Sequence, residues 1–254
     1  MNSNTTSRTR SWSLLVGWRN GLLRRIAPLA LLTLLTGCQT GMFDRGMTGP
    51  FHQPNNFSLT DRSLPEDVRR IAVLPLAASR ADVTLGVGRD SLQSVLYDEL
   101  IRSRLFEVIT VSEDEMAQWT GKKRWRQDEI LPADFMIRIE DQTACDAILF
   151  CELTSFSAYP PLAIGWKFLL VRPDNQVIWS FDEIFDAGEP RVSNSVRRFE
   201  YENERSRFEL LQKSNEESGS LWPSRAAGSD SVNSPRHFGK YTIGAALRTI
   251  LPHQ

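Results

Sequence analysis

The sequence has little from which to build metal, disulfide or nucleophile chemistry. It holds three cysteines and three histidines in 254 residues, and His52, His237 and His253 lie far apart. Three cysteines are too few for a disulfide-built scaffold. Neither charge is in excess: 30 basic side chains face 31 acidic ones, which argues against nucleic acid as the main partner. A mean hydropathy of -0.30 excludes a polytopic membrane protein. At 41% apolar and 24% charged residues, the chain is ordinary for a globular domain and unlike a disordered one. No Gly-rich phosphate loop with its Lys-Ser/Thr and no nucleophile elbow is present.

Only one long apolar run occurs, Ile26 to Leu35, and it is well short of the roughly 20 residues that span a bilayer. Before it stand Arg8, Arg10, Arg19, Arg24 and Arg25 with no acid. A basic region, a short apolar core and small residues ahead of a cysteine make a secretory signal peptide over residues 1–37. Leu35-Thr36-Gly37-Cys38 resembles the bacterial lipobox, which implies diacylation of Cys38 and a membrane partner reached through the lipid. Several acyl chains hold far more firmly than one. Gln39 in place of Asp, by resemblance to Gram-negative lipoproteins, implies the periplasmic face of the outer membrane.

Residues 38–65 are rich in Gly, Pro, Asn and Gln with no apolar period, and read as a flexible tether of roughly 30 Å reach. Its Phe43, Phe51 and Phe57 are either linker residues or contacts for a partner. Residues 66–254 read as one α/β domain in the order β-α-β-α-β-β-β-α, three-layered with a mixed sheet. Ile71 to Leu74 is apolar on both faces, the mark of a strand covered on both sides. A polar loop over 77–88 and a helix from Asp90 as N-cap come next. Leu105 to Val111 is a strand, and Ser112-Glu-Asp-Glu115 is a capping box. A helix over 132–142 precedes strands at 147–157, 162–171 and 176–186. Leu162, Ile164, Trp166, Phe168 and Leu170 alternate on one face, as do Val177, Trp179, Phe181 and Phe185. Cys145 and Cys151 flank one strand about 20 Å apart, too far for a disulfide. A charged helix over 192–212 and a helix opened by Ser234 and Pro235 complete the chain.

Ile71-Ala-Val-Leu-Pro-Leu76, Arg104-Leu-Phe-Glu-Val-Ile109, Cys145-Asp-Ala-Ile-Leu-Phe150 and Asn175-Gln-Val-Ile-Trp-Ser180 resemble the curli-secretion lipoprotein (CsgG) group. The TolB N-terminal domain, LpoB and PelC share that layout. The resemblance covers 69–186 and implies a non-catalytic envelope lipoprotein that works in secretion, polysaccharide export or peptidoglycan synthesis, with an envelope protein partner and self-association into a ring. It implies no cofactor. The long barrel-forming hairpins of the curli pore have no room here, so an autonomous pore is not expected.

Three other patterns are candidates. Trp119-Thr-Gly-Lys122-Lys123-Arg124-Trp125-Arg126 packs four cations and two tryptophans into eight residues. It is either a grip on anionic lipid, glycan or an acidic partner or a solvated loop whose tryptophans cover the sheet edge. Gly86-Val-Gly-Arg-Asp90 is either an anion loop or a plain approach to a helix. Ser193, Ser195 and Ser234 have no evident base, although His237 lies one turn from Ser234. An envelope hydrolase and a passive structural lipoprotein are therefore the rival readings.

Overall fold

One seven-stranded sheet with two kinds of pairing organises the chain. The computed structural model describes residues 49–61, 63–79, 82–218 and 234–251, without the side chains of 204 and 207–218. In order, the elements are β1 (Phe57–Leu59), β2 (Arg70–Val73), β3 (Ala77–Ala78), α1 (Val83–Ser103), β4 (Glu107–Thr110), α2 (Glu113–Thr120), α3 (Phe135–Thr143), β5 (Ala147–Ser157), β6 (Ala163–Val171), β7 (Val177–Asp186), α4 (Pro190–Ser218) and α5 (Pro235–Arg248). The strand order is β1-β7-β6-β5-β2-β4, with β3 also on β5. The fold is α/β with a mixed open sheet, as the order of patterns predicts.

Around β2 the pairing is parallel, to β4 on one side and β5 on the other. Side chains along β2 therefore alternate between two cores: Ile71 and Val73 enter one, Ala72 and Leu74 the other. The connection through α1 leaves β2 toward β4. The connection through α2 and α3 crosses back past β2 to β5. Crossovers of one hand running in opposite senses put their helices on opposite faces of the sheet. Accordingly Leu92, Val95 and Leu96 of α1 join the first core, and Met116, Phe135 and Ile139 of α2 and α3 join the second. Asp146 fixes the start of β2, where its Oδ2 accepts the backbone N–H groups of Arg69 and Arg70 at 2.9 and 2.8 Å.

The other half, β5-β6-β7-β1, is an antiparallel meander. One face is aromatic: Trp166, Phe168, Trp179, Phe181 and Phe185 lie beneath Phe238 and Tyr241 of α5. On the opposite face Glu152, Lys167 and Asp182 stand directly across from one another on β5, β6 and β7. Alternating charges at opposed positions favour this register. Val177 does not join the aromatic face; it is exposed, because the β6–β7 register slips between Leu170 and Val171. Asn175 takes the left-handed conformation, φ 71°, in the turn before β7, which asparagine tolerates better than most residues.

Two further expectations are corrected. Helix α1 begins at Val83, with Asp82 as its N-cap accepting from Thr84 N and Leu85 N at 2.8 and 3.3 Å; Asp90 and the glycines before it lie inside the helix. From Gly49 onward the expected tether is bound to the domain. Its Phe57–Leu59 is strand β1, the Phe57 and Leu59 side chains pack on the first core, and Arg198 covers the Phe51 ring at 4.8 Å. Residues 38–48, Phe43 among them, lie outside the described residues. So do Leu35, Thr36, Gly37 and Cys38. No helix among the described residues is long and apolar enough to cross a membrane.

Glu99 on α1 is 8% exposed, with Arg102 Nη1 2.8 Å from its Oε1. Burial raises its pKa, against the pull of Arg102 and Lys240, while Asp98 adds to the rise. A carboxyl whose folded pKa lies above the unfolded one stabilises the fold below the unfolded pKa. That contribution is lost as pH rises through the folded pKa. Glu99→Gln is therefore expected to gain stability on the parent between pH 4 and pH 8, seen as a higher relative melting temperature at pH 8. Parallel melting curves at the two pH values measure the gain; an unchanged difference would contradict the burial cost.

Candidate functional site

The site grows from the end of α2. Ser112 Oγ accepts the N–H of Glu115 and Ser112 N donates to Glu115 Oε2 at 2.8 Å, closing a capping box. Hydrogen bonding to Ser112 holds the Glu115 carboxyl below its usual pKa. The helix stops at Gly121, whose φ of 81° needs a residue without a Cβ. From there the chain folds back as the basic loop.

The two tryptophans anchor this loop. Trp125 donates from Nε1 to Thr120 Oγ1 at 2.8 Å and meets Phe135 edge-on at 5.4 Å; Trp119 packs on the same second core. Lys122 Nζ sits 4.8 Å from the Trp125 ring centroid. Both tryptophans are thus half-buried against the second core; Lys122, Arg124 and Arg126 are also half-buried in the loop, while Lys123 is exposed.

Each cation is held by an acid. Lys122 pairs with Glu129 and Arg124 with Glu113. Lys123 lies 3.3 Å from Asp114, an exposed and weak pair. Arg126 Nη2 donates to Asp128 at 2.9 Å, and its Nε stands 3.0 Å from Glu152 Oε1, off the hydrogen-bond line. Burial raises the Glu152 pKa, Arg126 opposes this, and Asp128 adds to it. These acids fix the rotamers of long side chains that are otherwise mobile.

The cations line a cleft of about 310 Å³ together with Arg89 of α1, Ala77 and Ala78 of β3, Ser79 and Glu129. Of the acids that pair with them, only Glu129 is in the lining. The cleft lies just beyond the carboxyl end of β2, whose crossover to β4 and the crossover from β4 back to β5 run in opposite senses. That switch point is where open α/β sheets bind ligands. Arg124 Nε is buried there with no hydrogen-bond partner.

Gly86-Val-Gly-Arg-Asp90 is not an anion loop, since it forms helix. It nevertheless delivers Arg89 to the cleft, tied back by Asp90 at 2.7 Å. Sequence reasoning missed the contribution of Arg89 and of 77–79, because which loops meet depends on strand order.

A second polar group lies on β7, beside the segment that leads into β1. His52 Nε2 stands 2.8 Å from Glu183 Oε1, Glu183 Oε2 accepts Asn55 N, and the backbone N–H of His52 donates to Ser195 Oγ at 2.8 Å. Ser195 thus has a histidine beside it after all, His52 and not the exposed His237. Ser195 is 8% exposed and receives a backbone N–H, which makes the group a clasp on residues 49–56. Asp182 and Glu183 point to opposite faces, as neighbours on a strand must. On α4, Arg198 and Glu202 pair at 2.8 Å on an exposed face. Cys145 and Cys151 are free and buried, and burial raises both thiol pKa values, which makes them poor nucleophiles. No metal-ligand cluster occurs among the described residues.

Fold and site together define an open α/β sheet with a basic cleft at its switch point. No family model matches the chain, and no curated protein matches it by sequence. Similar solved structures include a PelC dodecamer from Paraburkholderia phytofirmans, at 13% identity over 52% of this chain and 77% of that one, TM-score 0.32. Lipoprotein GNA1162 from Neisseria meningitidis shares 16% over 46% and 79%, TM-score 0.33. The LpoB C-terminal domain from Salmonella enterica shares 13% over 50% and 86%, TM-score 0.31. PelC and LpoB belong to the group that the sequence resembles.

Proposed function

We propose that this chain is a lipid-anchored protein of the bacterial cell envelope that acts by binding and not by catalysis. It serves as an assembly component of a secretion, polysaccharide-export or peptidoglycan-synthesis system. The anchor reading rests on Leu35-Thr36-Gly37-Cys38 behind a basic, then apolar, leader. The observation that supports binding is the cleft at the switch point, whose lining is fixed cations held by acids. Such groups bind and orient an anionic ligand. Outer-membrane placement and ring formation belong to the same proposal, drawn from the residue after Cys38 and from the family resemblance.

Labelling with radioactive palmitate tests the anchor. The parent is expected to take up label and sediment with membranes. Cys38→Ser is expected to lose both label and sedimentation. Label that survives in Cys38→Ser would overturn the anchor. Light scattering of the full chain in detergent, if it shows monomer only, would overturn the ring.

A further inference from the structure

We infer that the cleft between α1, β3 and the 122–129 loop is a binding site for one phosphate group carried on a small organic residue. The inference does not rest on the lipid anchor, because the cleft is built entirely from residues of the folded domain. Three observations carry it. First, five cations converge, and three are arginines whose planar forks match phosphate oxygens. Second, the arginines are already oriented: Asp90, Glu113, Asp128 and Glu152 hold Arg89, Arg124 and Arg126 from outside the lining. Little conformational entropy remains to be lost when an anion arrives. Third, Arg124 Nε, on a residue of the lining, is a buried donor that lacks an acceptor. A buried donor without a partner is costly, and a ligand oxygen is the group that relieves it.

Size narrows the ligand class. A volume of about 310 Å³ is at the small end of ligand pockets. It admits a phosphate with a glycerol or single-sugar substituent and not a glycan strand or a protein helix. Two sources share that chemistry: a soluble phosphate monoester and the phosphodiester headgroup of an anionic lipid.

The test is calorimetric titration of the full chain in neutral detergent with glycerol 3-phosphate, with short-chain dihexanoylphosphatidylglycerol, and with glycerol as control. Saturable one-to-one binding of either phosphate compound, and none of glycerol, is expected. The compound that binds more tightly identifies the source. Arg124→Lys keeps the charge and can still pair with Glu113, but it removes the guanidinium fork. It is expected to weaken binding at least about tenfold. Arg89→Gln, whose partner Asp90 is exposed, is expected to weaken binding without unfolding the chain, as melting curves check. No heat from either phosphate compound at millimolar concentration would overturn the inference. So would equal affinity in Arg124→Lys, which would reduce the cleft to a diffuse charged patch, or equally tight binding of succinate. Palmitate labelling is untouched by any of these results, so failure here and failure of the anchor are told apart.

Discussion

Trp166→Ala is expected to destabilise the domain by about 3–5 kcal/mol, lowering the melting temperature by roughly 6–20 °C. Trp166 is fully buried at the centre of β6, stacked on Phe168 at 5.5 Å. Its Nε1 donates to Thr242 Oγ1 at 2.8 Å, and the Thr242 hydroxyl donates in turn to Gly239 O at 3.0 Å. Alanine leaves a cavity beneath α5 and strands the Thr242 lone pair. Cavity volume and lost apolar contact dominate, because a neutral hydrogen bond contributes only about 1 kcal/mol net. Trp166→Phe, which keeps a ring against Phe168, is therefore expected to cost less than half as much. Thr242→Val is expected to cost about 1 kcal/mol, and to cost nothing further in the Trp166→Phe background. Urea unfolding followed by circular dichroism measures all four variants. A loss below 1 kcal/mol for Trp166→Ala would mean that α5 does not pack on the antiparallel half of the sheet.

The same residue shows why much of the fold could be read in advance. Leu162, Ile164, Trp166, Phe168 and Leu170 repeat with a period of two, and a strand that buries one face must repeat so. The β5-β6-β7 meander, the Ser112 capping box and the Ser234-Pro235 start of α5 are all local patterns, and each was legible. Strands β1 and β3 were not. They span three and two residues, and what holds them is pairing to β7 and β5, which are distant in sequence. The clasp on residues 49–56 is invisible for the same reason: His52 meets Glu183 and Ser195 only because β7 and α4 bring them there. In the candidate site, the loop cations and tryptophans stood out by composition. Their division of labour, tryptophans inward and cations toward the cleft, and the addition of Arg89, required the strand order around β2.

The start of α1 was misread because of its glycines, and these two residues give opposite expectations. In a helix interior, glycine is less favourable than alanine by about 1 kcal/mol, since the backbone loses more freedom and no side chain packs. Gly86 has nothing within 4 Å of the position a Cβ would take. Gly86→Ala should thus follow the propensity rule and stabilise by about 0.5–1 kcal/mol. At Gly88 a Cβ would meet Phe156 Cγ at 2.4 Å, with Cδ1 and Cδ2 at 2.7 and 2.8 Å. Those are atoms at the root of the ring, and they move only if the ring or the β5 backbone moves. Overpacking of this kind costs about 1–3 kcal/mol. Gly88→Ala is therefore expected to destabilise by about 2 kcal/mol despite its better propensity. The two alanine variants, two residues apart on one helix, should differ by about 3 kcal/mol in chemical denaturation. Combining Gly88→Ala with Phe156→Ala should recover the propensity gain relative to Phe156→Ala alone, because the clash is then gone. If Gly88→Ala instead stabilises as Gly86→Ala does, α1 does not lie against the end of β5. Arg89, the next residue, would then not be carried to the cleft.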